Sequence, residues 1–304
     1  MPVILGGLWV PTATPFSPSG GVNLERLVFH GRRLLEQGAT GLAILGTTSE
    51  ANSLTLDERR AVIDAVLGAG VPAARVLPGT GSASIADAIT LTRHATAAGC
   101  AGVLLLPPFY YKNISDDGLF AFVANLIEAC GSFVPRILLY HIPPQAVIGW
   151  SISLIDRLRS AFPDVIVGMK DSSGDRARIK TVLATFPNFA VFPGSESGLI
   201  ELMNAGAAGS ITATGNINAR AVADLIAGFR DADAGRRQED ATALRDALQK
   251  HGPIPSIKAI LSEIDRDPGW RTMRPPLMAL GDEQRTELLA TPAVRALLAT
   301  HSSP

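Results

Sequence analysis

Short, continuous apolar runs alternating with helix-like segments constrain this chain more than any other feature. The runs are Leu8-Trp9-Val10, Leu42-Ala43-Ile44-Leu45, Val76-Leu77, Val103-Leu104-Leu105-Leu106, Ile137-Leu138-Leu139-Tyr140, Val165-Ile166-Val167, Ala190-Val191-Phe192 and Ser210-Ile211-Thr212. Each is too short for a helix, and the clearest are apolar at every position. That pattern suits strands covered on both faces, as in a parallel sheet. Between the runs, apolar residues recur with a helical period. Leu24, Leu27, Val28, Leu34 and Leu35 make one broad face, and Leu119, Phe122, Val123 and Leu126 another. Thr55 before Asp57-Glu58, and Ser115 before Asp116-Asp117, read as helix starts with acid in the first turn. Gly38, Gly70, Gly99 and Gly206 stand where helices end and a left-handed residue is useful.

Strand then helix, eight times at roughly 25–35-residue spacing, predicts an α/β fold, a (β/α)8 TIM barrel. A doubly wound sheet is the alternative. It has fewer units and a GxGxxG turn after a strand, of which only Gly79-Thr80-Gly81 is a fragment here. After about Asn218 the strands stop. Residues 219–232, 236–250, 254–264 and 282–299 read as helices, broken by Gly252-Pro253, Pro268-Gly269 and Pro275-Pro276. The expected organisation is a barrel core over residues 1–218. The last barrel helix and a small C-terminal helical extension follow over 219–304, in the same domain and without chemistry of their own.

Composition narrows the function classes. The net charge of −1, with no basic stripe, argues against a nucleic-acid surface. Cys100 and Cys130 are the only cysteines and read as buried thiols. No CxxC or His/Cys cluster suggests a metal. The stretch from Met1 to Gly7 lacks the basic residues and long apolar segment of a signal peptide, and no run approaches the roughly 20 residues of a membrane span. A cytoplasmic protein is expected.

In a barrel of this kind the working residues sit at the C-terminal ends of strands and in the loops that follow. That rule selects Gly46-Thr47-Thr48-Ser49-Glu50, Pro107-Pro108-Phe109-Tyr110-Tyr111, Tyr140-His141-Ile142-Pro143-Pro144, Gly168-Met169-Lys170-Asp171 and Pro193-Gly194-Ser195-Glu196. Of five lysines only Lys170 ends an apolar strand. Lys112 lies in a polar loop, and Lys180, Lys250 and Lys258 lie on helices, where a solvated face is expected. Free lysine has a pKa of about 10.4, so less than about a thousandth is neutral at pH 7. An apolar surrounding lowers that value, and the neutral amine is what attacks a carbonyl to form an imine. The competing structural reading pairs Lys170 with Asp171, which alternation along a strand disfavours. The three tyrosines, Tyr110, Tyr111 and Tyr140, all fall at strand ends of this face, which favours proton handling over core filling. Thr47 and Thr48 are candidate hydroxyl partners, and the backbone of their turn can hold a carboxylate. His141 alternates away from the interior and reads as structural.

These segments, in this order along nearly the whole chain, resemble the dihydrodipicolinate synthase / N-acetylneuraminate lyase family of class I, pyruvate-linked aldolases. Pro193-Gly194-Ser195 and Ile211-Thr212 add to the match. The resemblance implies that Lys170 forms the Schiff base and Tyr140 shuttles protons. By the same resemblance Thr47 and Tyr110 are expected to complete a hydroxyl relay, Tyr110 coming from a neighbouring subunit. It also implies that Thr48 clamps the pyruvate carboxylate, that Gly194, Ser195 and Ile211 line the substrate pocket, and that no metal or organic cofactor is needed. The partners it implies are a small 2-oxo acid and an aldehyde, and the assembly a homotetramer, a dimer of dimers.

Departures bear on the substrate. The synthases carry an arginine after the strand that holds the tyrosine. Pro144-Gln145-Ala146-Val147 stands there instead, and Arg136 lies at the wrong end of that strand. Glutamine does not replace a bidentate guanidinium. Ser49 stands where the turn usually has glycine, and Ser195-Glu196 replaces an acidic pair. Three readings follow. The first is an aldolase or dehydratase of the 4-hydroxy-2-oxoglutarate or 2-keto-3-deoxy sugar-acid type. The second is a dihydrodipicolinate synthase that holds its aldehyde by another group. The third is a non-catalytic 2-oxo acid sensor, which has no need of the full relay.

Overall fold

The computed structural model describes residues 5–301; residues 1–4, which include most of the N-terminal stretch considered above, and 302–304 lie outside the described residues. Strand and helix alternate as β1 (Gly7–Val10), α1 (Leu24–Glu36), β2 (Gly41–Leu42), α2 (Leu56–Gly68), α3 (Ile85–Ala97), β3 (Val103–Leu105) and α4 (Asp116–Cys130). Then come β4 (Ile137–His141), α5 (Pro143–Ala146), α6 (Ile152–Ala161), β5 (Ile166–Asp171), α7 (Arg176–Thr185), β6 (Ala190–Pro193), α8 (Leu199–Asn204) and β7 (Gly209–Ile211). The rest is helical: α9 (Gly215–Ala227), α10 (Ala234–Gln249), α11 (Pro253–Ile264), α12 (Asp282–Ala290) and α13 (Pro292–His301). Thr55 and Ser115 cap α2 and α4 as expected, each accepting a backbone N–H in the first turn. Gly38, Gly70, Gly99 and Gly206 all have positive φ just beyond helix ends.

All ladders are parallel, in the orders β2-β1-β7 and β3-β4-β5-β6. The segment around Val76–Thr80 closes one gap. Leu77 and Gly79 donate to Leu42 and Ile44, while Thr80 donates to Leu104 and Leu104 to Pro78. It occupies the third strand position by isolated bridges, not as the full strand expected. Pro78 has no N–H to give, and Arg59 takes the carbonyls of Gly79 and Gly81 at 2.9 and 3.2 Å. Across the other gap, Ala208 of the loop before β7 donates to Val191 of β6. The ring is the predicted (β/α)8 barrel. β2 is shorter than its apolar run, at whose end Leu45 turns left-handed, with φ 60°.

Alternation sorts the side chains into two cores. Trp9, Leu77, Leu104, Leu138, Phe192 and Ile211 pack together inside the ring. Leu8, Val10, Val103, Leu105, Ile137 and Leu139 pack outward among helix residues such as Leu27, Val62 and Leu126. One irregularity decides where the chemistry points. Ile137 pairs with Ile166, but the next residue, Leu138, pairs with Gly168, so β5 carries an extra residue at Val167. Counting by twos from outward-facing Ile166 would aim residue 170 outward. The bulge resets the parity, puts Lys170 beside Tyr140 on the inner face, and leaves Asp171 beside His141.

The C-terminal helices are more than an appendage. They share a core of Leu244, Leu248, Ile257, Ile260 and Trp270 that takes in Ala13 and Ile217 from the barrel. On α11 every residue from Ser256 to Ser262 is buried, so Lys258 does not lie on a solvated face as expected. It forms an ion pair with Glu50, its ammonium 3.1 Å from the Thr272 carbonyl and 4.4 Å from the Phe16 ring centre. Lys180 and Lys250 are exposed and pair with Glu201 and Glu287. Both cysteines are unpaired, Cys130 buried and Cys100 only half-buried. Among the described residues, no helix is long and apolar enough to cross a membrane.

Candidate active site

The C-terminal strand ends open into a cavity of about 890 Å3. Lys170, Tyr140, Thr47, Thr48, Gly194, Ser195 and Ile211 all line it. Seven of the eight residues singled out from sequence therefore meet in one place. The eighth, Tyr110, does not: it is 71 % exposed and packs edge-on against Tyr111, itself exposed, with ring centres 5.3 Å apart. The tyrosine clustering thus holds for the barrel end but not for the cavity of a single chain.

At the base, the Lys170 amine donates to the Tyr140 hydroxyl at 3.2 Å and sits 4.3 Å from that ring's centre. The Tyr140 hydroxyl lies 3.3 Å from Thr47 Oγ1. Lys170 is 5 % exposed and makes no ion pair among the described residues. The carboxylate of Asp171, its sequence neighbour, is engaged elsewhere: it accepts from Ser173 and pairs with Arg178 at 3.2 Å. Arg178 continues to the Trp150 carbonyl at 2.6 Å, and the Trp150 N–H donates to His141 Nδ1 at 3.1 Å. Burial lowers the His141 pKa to about 4, so its ring is neutral and structural. The outer face of these strand ends is thus locked independently of the inner one.

Thr47 and Thr48 are carried by a turn fixed at both ends. Leu45 and Glu50, neither of them glycine, are left-handed, with φ 60° and 55°. Ser49, the departure noted in this turn, donates to the Thr12 carbonyl at 2.6 Å and ties the turn to the loop after β1. Glu50 is held by Lys258. The opposite wall requires a glycine at 194, since a Cβ there would lie 2.1 Å from Ser172 Oγ. Gly194 in turn donates to the Asp171 carbonyl at 2.8 Å.

Sequence reasoning missed the outer wall. Arg245 and Gln249 of α10, His251, Pro253 and Ile254 line the same cavity. Arg245 pairs with Glu196 at 3.4 Å. Glu196 is fully buried, and its carboxylate accepts from the hydroxyls of Thr212, at 2.5 Å, and Thr214. Burial pushes this carboxyl above the ordinary range, opposed by Arg245 and Thr212. The only sequence signal was Glu196 itself, an acid in the loop that follows a barrel strand. Arg136 immediately precedes β4 and donates to the Ala101 carbonyl at 3.2 Å, at the end of the barrel away from the cavity.

Comparison with known proteins places this geometry. The profile of the dihydrodipicolinate synthetase family matches residues 4–293. An uncharacterized DapA-like lyase of Chloroflexus aurantiacus is 33 % identical over 281 residues, 91 % of this chain and 92 % of that protein. A 4-hydroxy-tetrahydrodipicolinate synthase of a Synechococcus strain is 31 % identical over 94 % of each chain. The crystal structure of dihydrodipicolinate synthase from Agrobacterium tumefaciens superimposes with a TM-score of 0.89, at 31 % identity, over 96 % of this chain and 99 % of that one. On the span of that match and those identities, the chain belongs to the dihydrodipicolinate synthetase family.

Proposed function

We propose that the protein is a Schiff-base lyase that uses Lys170 to form an imine with pyruvate or a related 2-oxo acid. Its reaction is cleavage or condensation of the 4-hydroxy-2-oxoglutarate or 2-keto-3-deoxy sugar-acid type. The observation that carries this reading is a buried lysine amine with no carboxylate partner among the described residues, hydrogen-bonded to a phenol that meets a second hydroxyl. The amine attacks the C2 ketone. Tyr140, backed by Thr47, supplies and removes protons as the carbinolamine forms and loses water. The imine then takes up the electron pair of the C3–C4 bond as the C4 hydroxyl gives up its proton. An aldehyde leaves and an enamine remains. Protonation at C3 and hydrolysis by one water release pyruvate and the free amine. In this reading Thr48 and its turn hold the 2-oxo acid carboxylate, while Gly194, Ser195 and Ile211 shape the wall facing it.

Tyr110 completes the relay in a neighbouring subunit of a cytoplasmic homotetramer. Its exposure, and its position outside the lining of its own chain's cavity, support that assignment. The barrel residues 1–218 and the helices of 219–304 work as one domain, since Lys258 anchors the turn that bears Thr47. The second reading, 4-hydroxy-tetrahydrodipicolinate synthase, is favoured by the names of several relatives and disfavoured by Pro144-Gln145 at the cavity where the synthases carry arginine. Consumption of aspartate semialdehyde together with pyruvate separates the two. Borohydride trapping with pyruvate, read by intact mass and peptide mapping, tests the class itself. A single adduct on Lys170 is expected; absence of any adduct with pyruvate and with longer 2-oxo acids overturns it.

A further inference from the structure

We infer that Arg245 is the cation that holds an anionic far end of the substrate, and that Glu196 positions it. This inference rests on the Schiff-base reading above and adds the class of substrate, a 2-oxo acid with a second carboxylate. Pyruvate has six heavy atoms. A molecule of that size leaves most of the cavity of about 890 Å3 open. The remaining space runs from Lys170 past the hydroxyls of Ser172, Ser173, Ser195 and Ser197 to the α10 wall. Those hydroxyls suit a hydroxylated chain between the two ends.

The charges along this path are unequal. The acid among the lining residues is Asp171, and its carboxylate is engaged by Arg178 and Ser173. Three basic side chains stand at the outer wall. Arg176 is more than half exposed and pairs at 2.9 Å with Glu201, on the protein surface. His251 lies 3.2 Å from Glu287. Arg245 differs from both. Its side chain is 19 % exposed, and its partner is a fully buried carboxylate already accepting from two threonine hydroxyls. Its one contact with that carboxylate is long, 3.4 Å through a single nitrogen. A guanidinium has five N–H donors in a planar fork suited to a carboxylate, and most of those of Arg245 have no partner among the described residues. Glu196 is itself tied at its backbone: its carbonyl accepts from Gln238, which also receives the Ile200 N–H at 3.0 Å. The arrangement aims a cation without saturating it.

The test measures imine formation on the intact enzyme as a function of 2-oxo acid concentration, by borohydride trapping and intact mass. The probes are pyruvate, 2-oxopentanoate, and the dianions 2-oxoglutarate and 2-oxoadipate, on the unmodified protein and on Arg245→Gln, Arg245→Lys and Arg176→Gln. The unmodified protein is expected to favour one of the dianions over 2-oxopentanoate by about tenfold or more, the worth of one charge-assisted pair. Arg245→Gln is expected to erase that preference while pyruvate trapping stays within about twofold. Arg245→Lys, which keeps the ion pair to Glu196, retains part of it, and Arg176→Gln all of it. The inference is overturned if the unmodified protein shows no dianion preference, if the preference follows Arg176, or if Arg245→Gln weakens all four acids alike. Failure of every acid to trap Lys170 overturns the underlying Schiff-base reading instead.

Discussion

Lys170 and Lys258 are both buried, and both ammonium positions lie over an aromatic ring, 4.3 Å from Tyr140 and 4.4 Å from Phe16. What separates them is an anion. Lys258 faces Glu50, a carboxylate whose side chain is fully buried, and the Thr272 carbonyl. Burial pulls its pKa below the ordinary lysine value, and Glu50 opposes that pull. Lys170 faces a phenol and an open cavity. Burial alone therefore does not identify a nucleophile. A buried lysine with a carboxylate partner is a structural rivet, and one with only a hydroxyl partner is left to meet a carbonyl.

The largest effect expected from this contrast is on chemistry. Lys170→Ala removes the nucleophile and is expected to lower turnover by on the order of 10^4-fold or more. Its stability changes by less than about 1 kcal/mol, since the side chain makes one hydrogen bond to a neutral group. Denaturant unfolding and single-turnover assays check the two halves. A borohydride adduct on Lys258 in this variant would break the comparison outright.

Lys258→Met inverts the pattern. It leaves the Glu50 charge buried without its partner, which costs about 3–5 kcal/mol. The double variant Lys258→Met/Glu50→Gln is expected to recover much of that in urea unfolding. A single variant as stable as the unmodified protein would show that the pair is not the rivet described. Tyr140→Phe comes next. It keeps the ring beneath the Lys170 amine and removes only the hydroxyl, so pyruvate trapping persists weakly while kcat falls by about 10^2–10^3-fold. An unchanged kcat would remove Tyr140 from proton transfer.

The barrel and the inner site were legible because they follow local rules. Continuous apolar runs mark strands buried on both faces, and the strand ends carry the chemistry, so Lys170, Tyr140, Thr47, Thr48, Gly194 and Ser195 fall in the segments that rule selects; Ile211 came from the family resemblance, and all seven line one cavity. Alternation alone, however, aims Lys170 correctly only because of the Val167 bulge, which two adjacent apolar residues do not announce. Lys258 was misplaced by treating α11 as amphipathic. Every residue from Ser256 to Ser262 is buried, the two serines included, so that stretch has no solvated face and buries the charge it carries. Arg245 was not legible, because α10 is rich in charges on most sides and its meeting with Glu196 spans 49 residues of chain.

The smallest predicted effect probes whether the two lysines are independent. One five-residue turn, Gly46 to Glu50, joins their surroundings: Thr47 reaches the phenol of Lys170, and Glu50 pairs with Lys258. Between them Ser49 fixes the turn to the Thr12 carbonyl. Ser49→Gly deletes that hydrogen bond and loosens the backbone, for a loss of about 1–2 kcal/mol. If the turn transmits the anchor at Glu50 to Thr47, kcat also falls by a few-fold, roughly what a hydrogen-bond misalignment of under 1 kcal/mol produces, while the concentration dependence of pyruvate trapping holds. A stability loss with kcat unchanged would mean that Thr47 is held by Tyr140 and its own strand end. The rivet at Lys258 would then serve the fold alone, and the separation of the two lysines would be complete.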